Sequence, residues 1–275
     1  MTEDFAPFAR LIDALRPWLP RLVVVGGWAH RLHRYHALAN PPHHPPIRTL
    51  DADLAFSNAS RLDGDVFAAL RRAGFDEELF GDDAPPVTQY SLGKENAGFY
   101  AEFLTPLRGD GLKSNGAPDA TVATAGITAQ KLRYLELLLI SPWSVRLAQN
   151  GFVPVASDVE VFVPSATSFI VQKLLIHSDR KPTKKAQDVL YIHDTLELFG
   201  GALDSLRETW LESVQPAMPD KTGKRAATIA ATLFAELTDT IRDAARIPQN
   251  RYAPLVSTGC GRSSGSPHRR KVVAS

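Results

Sequence analysis

Apolar positions in the first half of the chain follow two periods. Phe5, Phe8, Leu11, Ile12 and Leu15 recur at helical spacing, and Pro17 and Pro20 stop that helix. "RLVVVGG" (21–27) is a short continuous apolar run, which predicts a buried strand turning sharply at Gly26-Gly27. Residues 28–38 form a helical pattern, and "NPPHHPP" (40–46) fits only a loop. "TLDADLAF" (49–56) alternates as a strand does, and residues 63–73 predict a helix opening near Asp63 and ending at Gly74.

Further along, strands are expected over 87–92 and 98–104, followed by a polar surface loop, "DGLKSNGAPDAT" (110–121). "TAQKLRYLELLLI" (128–140) has the composition of a helix, and "GFVPVASDVEVFVP" (151–164) that of a β segment or hairpin. From Ser165 the pattern becomes helical, over 166–178, 183–199, 202–214 and 222–245. The expected class is therefore α/β (α+β). A mixed sheet flanked by helices occupies 1–164, a helical domain follows over 165–255, and a Gly/Ser/basic tail over 256–275 has the composition of a disordered segment. No internal repeat is present.

Composition adds bounds rather than direction. The 275 residues are 44% hydrophobic and 22% charged, ordinary for a soluble globular chain with ample core. A formal net charge of +1 moves the search for charged partners to local patches. One cysteine, Cys260, excludes a disulfide framework and a cysteine-based zinc site and fits a reducing cytosol. The N-terminus starts acidic and lacks the apolar core of a signal peptide, and no apolar run approaches the ~18 residues that span a bilayer. A cytoplasmic protein without a membrane partner is expected.

The chemistry concentrates where polarity interrupts the strands. In "TLDADLAF" the period of two sends Leu50, Ala52, Leu54 and Phe56 to one face and Asp51, Asp53 and Ala55 to the other. The two carboxylates lie side by side, with Cβ atoms about 6–7 Å apart, and repel unless a cation lies between them. Hard oxygen ligands of this kind suit Mg²⁺ with substrate phosphates; a solvated edge strand is the plain alternative. In "GFYAEFLTP" Glu102 is the only acid in an almost wholly apolar strand, either a third carboxylate for such a site or an edge residue facing water. Gly26-Gly27, between a strand and a helix N-terminus, offers backbone N–H groups to a phosphate.

Strand–Gly-Gly–helix, then a strand with D-x-D, then a carboxylate on a later strand resembles the DNA polymerase beta-type nucleotidyltransferase superfamily. "RTLDADLAF" is similar to the corresponding stretch of AbiE/MenT-type toxin nucleotidyltransferases, with the loop 40–46 lengthening the usual gap before Asp51. The later segment "VFVPSATSFIVQKLLIHSDRKPTKKAQDVL" is similar to the GSU-type bacterial nucleotidyltransferase-fold proteins, with Ser165-Ala166 where a second proline is usual. Together the likeness covers roughly residues 21–199. It implies Mg²⁺ on Asp51, Asp53 and Glu102. It also implies an NTP held by Gly26, Gly27, Arg48, Thr49 and Arg180, and Lys173 and Asp188 completing the catalytic set.

Lys173, His177 and Arg180 fall at i, i+4 and i+7, with Lys181, Lys184 and Lys185 adding charge nearby. Lys173 is positioned to neutralise a triphosphate, or belongs to a solvated basic face paired with Asp179 and Asp188; Lys181, Lys184 and Lys185 suit an RNA backbone. His30, His33 and His36 recur every third residue and His43-His44 lie in the loop; without an H-E-x-x-H or cysteine partner they predict a polar helix face near the site rather than zinc. Trp28, Trp143 and Trp210 are expected in the core or at a domain junction. Arg262, His268, Arg269, Arg270 and Lys271 either touch nucleic acid or solubilise the tail.

The resulting expectation is Mg²⁺-dependent transfer of NMP from an NTP to a hydroxyl, on an RNA end (tRNA included) or a protein, with pyrophosphate released. The alternatives are an idle fold acting as a binding partner in a toxin–antitoxin or defence pair, with a cognate antitoxin, and a small-molecule nucleotidyltransferase.

Overall fold

A computed structural model describes residues 5–57, 62–80, 87–93 and 98–247. The expectations for Cys260 and the basic tail fall outside the described residues.

Two strands with different burial set the centre of the molecule. β1 (Val23–Val25) is buried on both faces, which is why it reads as an unbroken valine run. β2 (Asp51–Ala55) alternates because one of its faces is open at the start. β1 and β2 pair antiparallel, Val25 opposite Asp53, and β2 pairs in parallel with β5 (Tyr100–Pro106). Around these three, β3 (Asp76–Phe80), β4 (Val87–Ser91), β8 (Trp143–Leu147) and β9 (Val159–Val163) complete the order β3-β4-β5-β2-β1-β9-β8. On its outer side β5 pairs first with β4 and farther along with β7 (Ile127–Leu132), which carries β6 (Thr121–Thr124). The sheet is mixed, as the sequence predicts.

One face packs on α1 (Ala6–Ala14), α2 (Gly26–Leu32) and α3 (Val66–Arg72), with Ala52, Leu54, Phe103 and Val24 in the same cluster as Phe8, Leu11 and Trp28. The Trp28 indole is fully buried and stacks on Phe8 at 3.9 Å between centroids. At that burial, Trp28→Ala removes about 3–5 kcal/mol of packing. On the opposite face Val23, Val25, Ala55 and Leu104 are covered by Leu135 and Leu138 of a 3₁₀ turn, Leu135–Leu139. That cover stops short of the first residues of β2 and β5.

The C-terminal half holds α4 (Ala166–His177), α5 (Pro182–Leu198), α6 (Leu203–Thr209), α7 (Asp220–Leu233) and α8 (Asp239–Arg246). Ser165 caps α4 by accepting from the Ser168 N–H, and Asp65 caps α3 through Ala68 N–H. No helix among the described residues is long and apolar enough to cross a membrane.

Several expectations need correction. Residues 128–140 are not a helix. β7 takes the first part and the 3₁₀ turn the second, joined by Tyr134 in a left-handed conformation (φ 61°). The helix-forming composition of "TAQKL" yields to two partner strands and to burial of Ile127 and Ala129. The polar excursion 110–121 runs into β6; of the two readings of 151–164 the β segment holds, as β9, and its antiparallel partner β8 comes from 143–147. The expected 222–245 helix breaks at Phe234 into α7 and α8.

Candidate active site

Register builds the site. With β2 and β5 parallel, Asp51 lies opposite Tyr100 and Asp53 opposite Glu102. The period of two turns all four side chains to the face that the 3₁₀ turn leaves open, and each is partly exposed. The antiparallel partner of Asp53 is Val25, the last residue of β1, so the β1–α2 turn rises directly beside the carboxylates.

That turn explains its glycines. Gly26 has φ +63°, and a Cβ there would run into the Asp53 carboxylate Oδ2. A Cβ on Gly27 would lie 2.8 Å from Thr49 Cβ and Cγ2, and the Thr49 hydroxyl donates to Asp51 Oδ1. The side-chain space at both glycines is thus filled by the site's own residues, a requirement the sequence expressed only as close approach of a phosphate.

The carboxylates shape one another. Burial pushes the Asp53 carboxyl up to about 8, the Asp51 and Glu102 charges add to this, and Lys173 and Arg180 oppose it. Gln89 Nε2 donates to Glu102 Oε1 at 2.7 Å. Burial and the charges of Asp51, Glu102 and Asp53 raise the Tyr100 phenol. The Tyr191 phenol on α5 is raised by burial, then by Asp51, and receives a hydrogen bond from Gln187 Nε2 at 3.3 Å.

The basic half comes from α4 and α5. Lys173 is 6% exposed, so it is not part of a solvated face; its Nζ lies 3.1 Å from Asp188 Oδ1, itself buried. Arg180 Nε lies 3.4 Å from Asp188 Oδ2. Burial lowers the Lys173 ammonium, while Asp188 and, more weakly, Asp53 hold it charged. Asp188 thus keeps two cations next to the acidic face.

The donor set tests whether a metal fits. Three carboxylates share one open face, with burial and its two neighbours raising Asp53 above the ordinary carboxyl range, and the opposing cations are already engaged by Asp188. Oxygen-only ligands in that state match the preference of Mg²⁺.

Other predicted residues lie elsewhere. Arg48 is exposed and lines a cavity of about 670 Å³ with Phe5, Tyr35 and Phe152. Lys181 and Lys184 are exposed at the start of α5. His30 and His33 do not form a polar face. They are 2% and 0% exposed, ringed by Phe169, Tyr191 and Phe199, and the α-helix ends at Leu32. His33 Nε2 donates to the Pro164 carbonyl at 2.8 Å, and burial lowers its imidazole to about 4. Sequence reasoning passed over Gln89, Tyr100 and Tyr191. Tyr100 alone had a local signal, two residues before Glu102 and so on its face.

An antigenic nucleotidyltransferase-like protein from Paracoccidioides brasiliensis is similar at 14% identity over 88% of this chain and 92% of its own, with a TM-score of 0.38. No curated protein sequence matches the chain. The sequence model of a family described as nucleotidyltransferase matches residues 3–215, and the chain belongs to that nucleotidyltransferase family.

Proposed function

We propose that the protein transfers a nucleoside monophosphate from an NTP to a hydroxyl acceptor and releases pyrophosphate. One observation carries this reading: Asp51, Asp53 and Glu102 share one open face in register, with the Asp53 carboxyl pushed up to about 8 by burial and by its two neighbours. A fold keeps so costly a cluster where a cation and phosphates compensate it.

Asp51, Asp53 and Glu102 would hold Mg²⁺. When bound, it neutralises phosphate charge and favours displacement at the α-phosphorus. Thr49 orients Asp51 through its hydroxyl, and Gln89 holds Glu102 beside the place where the proton of an attacking hydroxyl would be taken up. Lys173 and Arg180, anchored on Asp188, face the charge that builds on the leaving pyrophosphate. The backbone N–H groups at Gly26 and Gly27 would be offered to triphosphate oxygens. Catalysis in this proposal belongs to 1–164, with the segment 165–255 contributing Lys173, Asp188 and Tyr191. The acceptor is an RNA end, tRNA included, favoured over a protein hydroxyl by the exposed Lys181 and Lys184. The setting is the cytoplasm.

The test incubates the purified chain with each labelled NTP, Mg²⁺ and total cellular RNA or protein. Transfer by the wild type and its loss in Asp51→Asn supports the reading. No transfer with any NTP, together with RNA or protein binding that ignores both Mg²⁺ and Asp51→Asn, replaces it with an idle fold that serves as a binding partner, such as one held by a cognate antitoxin.

A further inference from the structure

The loop 40–46 is the motif that the nucleotidyl-transfer reading leaves unused. Its His44 Nδ1 lies 3.2 Å from the Pro45 carbonyl, and its Nε2 lies 3.0 Å from Glu197 Oε2 on α5. A carbonyl oxygen only accepts, so the first contact puts the ring proton on Nδ1 and turns the Nε2 lone pair to a carboxylate oxygen, another acceptor. Two acceptors at that distance need a proton or a metal cation between them. Asp194, one helical turn before Glu197, brings a second carboxylate, and one ligand atom from each of His44, Asp194 and Glu197 lies within 4.8 Å of the others. Asp194 is 6% exposed and is met by His193 Nδ1 at 3.3 Å, as the carboxylates of metal sites are commonly braced by an outer group.

The three residues open on a cavity of about 470 Å³ whose other walls include Leu190, Phe234 and Ile241. One imidazole, two carboxylates and an apolar shell suit a borderline cation such as Zn²⁺, whereas Mg²⁺ avoids imidazole and keeps its waters.

We propose that His44, Asp194 and Glu197 bind a zinc-class divalent ion, with a fourth position left to water or a ligand oxygen from the cavity. The ion ties the proline-rich loop to α5. Both elements lead to the carboxylate face: the loop runs on to Thr49, which donates to Asp51, and α5 carries Asp188 and Tyr191. The proposed site is thus distinct from the Mg²⁺ face and is positioned to set how loop and helix meet beside it.

The experiment uses untagged full-length protein stripped with a chelator and titrated with ZnCl₂ by calorimetry in excess MgCl₂, with Co²⁺ as a spectroscopic substitute. The expected result is one zinc per chain, Co²⁺ bands of tetrahedral or five-coordinate type, and a zinc-dependent rise in Tm. His44→Ala and Glu197→Gln, both at partly exposed positions and checked for native circular dichroism, weaken binding more than about tenfold. Asp53→Asn keeps the zinc equivalent, so failure of the nucleotidyl-transfer reading leaves this outcome standing. The proposal is overturned if wild type takes up no zinc under these conditions, or if His44→Ala binds it as tightly as wild type.

Discussion

The most direct test of the acidic face is the proton on Asp53. Its carboxyl sits at about 8 in the folded chain against an ordinary 3.8, so between those limits the folded state keeps a proton that the unfolded state has lost. Stability of the metal-free protein therefore falls as pH rises through that window, by at most about 1.4 kcal/mol per pH unit, and levels off above pH 8. Asp53 is partly exposed and its neighbours readjust. We therefore expect a loss of about 2–4 kcal/mol between about pH 5 and pH 8 rather than the full span. Asp53→Asn cannot ionise and escapes this loss. Melting curves of both proteins in a chelating buffer should nearly coincide near pH 4 and separate steadily, with the variant ahead by roughly 5–15 °C at pH 8. The same proton must leave when Mg²⁺-nucleotide binds. Apparent affinity of the wild type should thus climb towards tenfold per pH unit and flatten near pH 8, with proton release visible by calorimetry in buffers of different ionisation heat. Parallel melting curves at all pH values would refute the reasoning: Asp53 would then be ionised in the metal-free fold, with Lys173 and Arg180 outweighing burial and the two anions.

Gly26→Ala should abolish Mg²⁺-dependent nucleotide binding in a calorimetric titration while lowering Tm by only a few degrees, because the left-handed backbone costs ~1–2 kcal/mol and the new Cβ pushes Asp53 aside. In an Asp53→Ala background the clash disappears and only the backbone cost remains, so a double-mutant cycle should report coupling between the two positions. Lys173→Met leaves the buried Asp188 with only Arg180 and should cost about 3–5 kcal/mol in urea unfolding, much of it recovered when Asp188→Leu is added. His33 is held neutral, so its contribution is complete above pH 6.5 and lost as pH falls towards 4, about 3 kcal/mol in all. His33→Gln, which preserves a donor for the Pro164 carbonyl, should flatten that acid limb in unfolding experiments.

What the sequence disclosed and what it withheld divide along the range of the forces involved. β1 and β2 were legible because burial on two faces, or on one, writes itself into neighbouring residues, and the same period put Asp51 and Asp53 together. Glu102 was legible as an acid out of place. Its position opposite Asp53 was not, because strand register depends on a partner about fifty residues away. β7 was misread for the same reason: its local helix preference is worth tenths of a kcal/mol per residue, less than a place between β5 and β6. The histidines make the point most sharply. Their even spacing suggested a common polar face, yet His30 and His33 pack among rings contributed by α4 and α5, and His44 meets the Glu197 carboxylate 153 residues along the chain. Gly26 combines both kinds of information. The sequence marks it as a turn that tolerates no side chain, but only the fold assigns the forbidden space to Asp53. Glycine and aspartate therefore act as one unit: the space that a side chain at Gly26 would need is the space that the Asp53 carboxyl occupies.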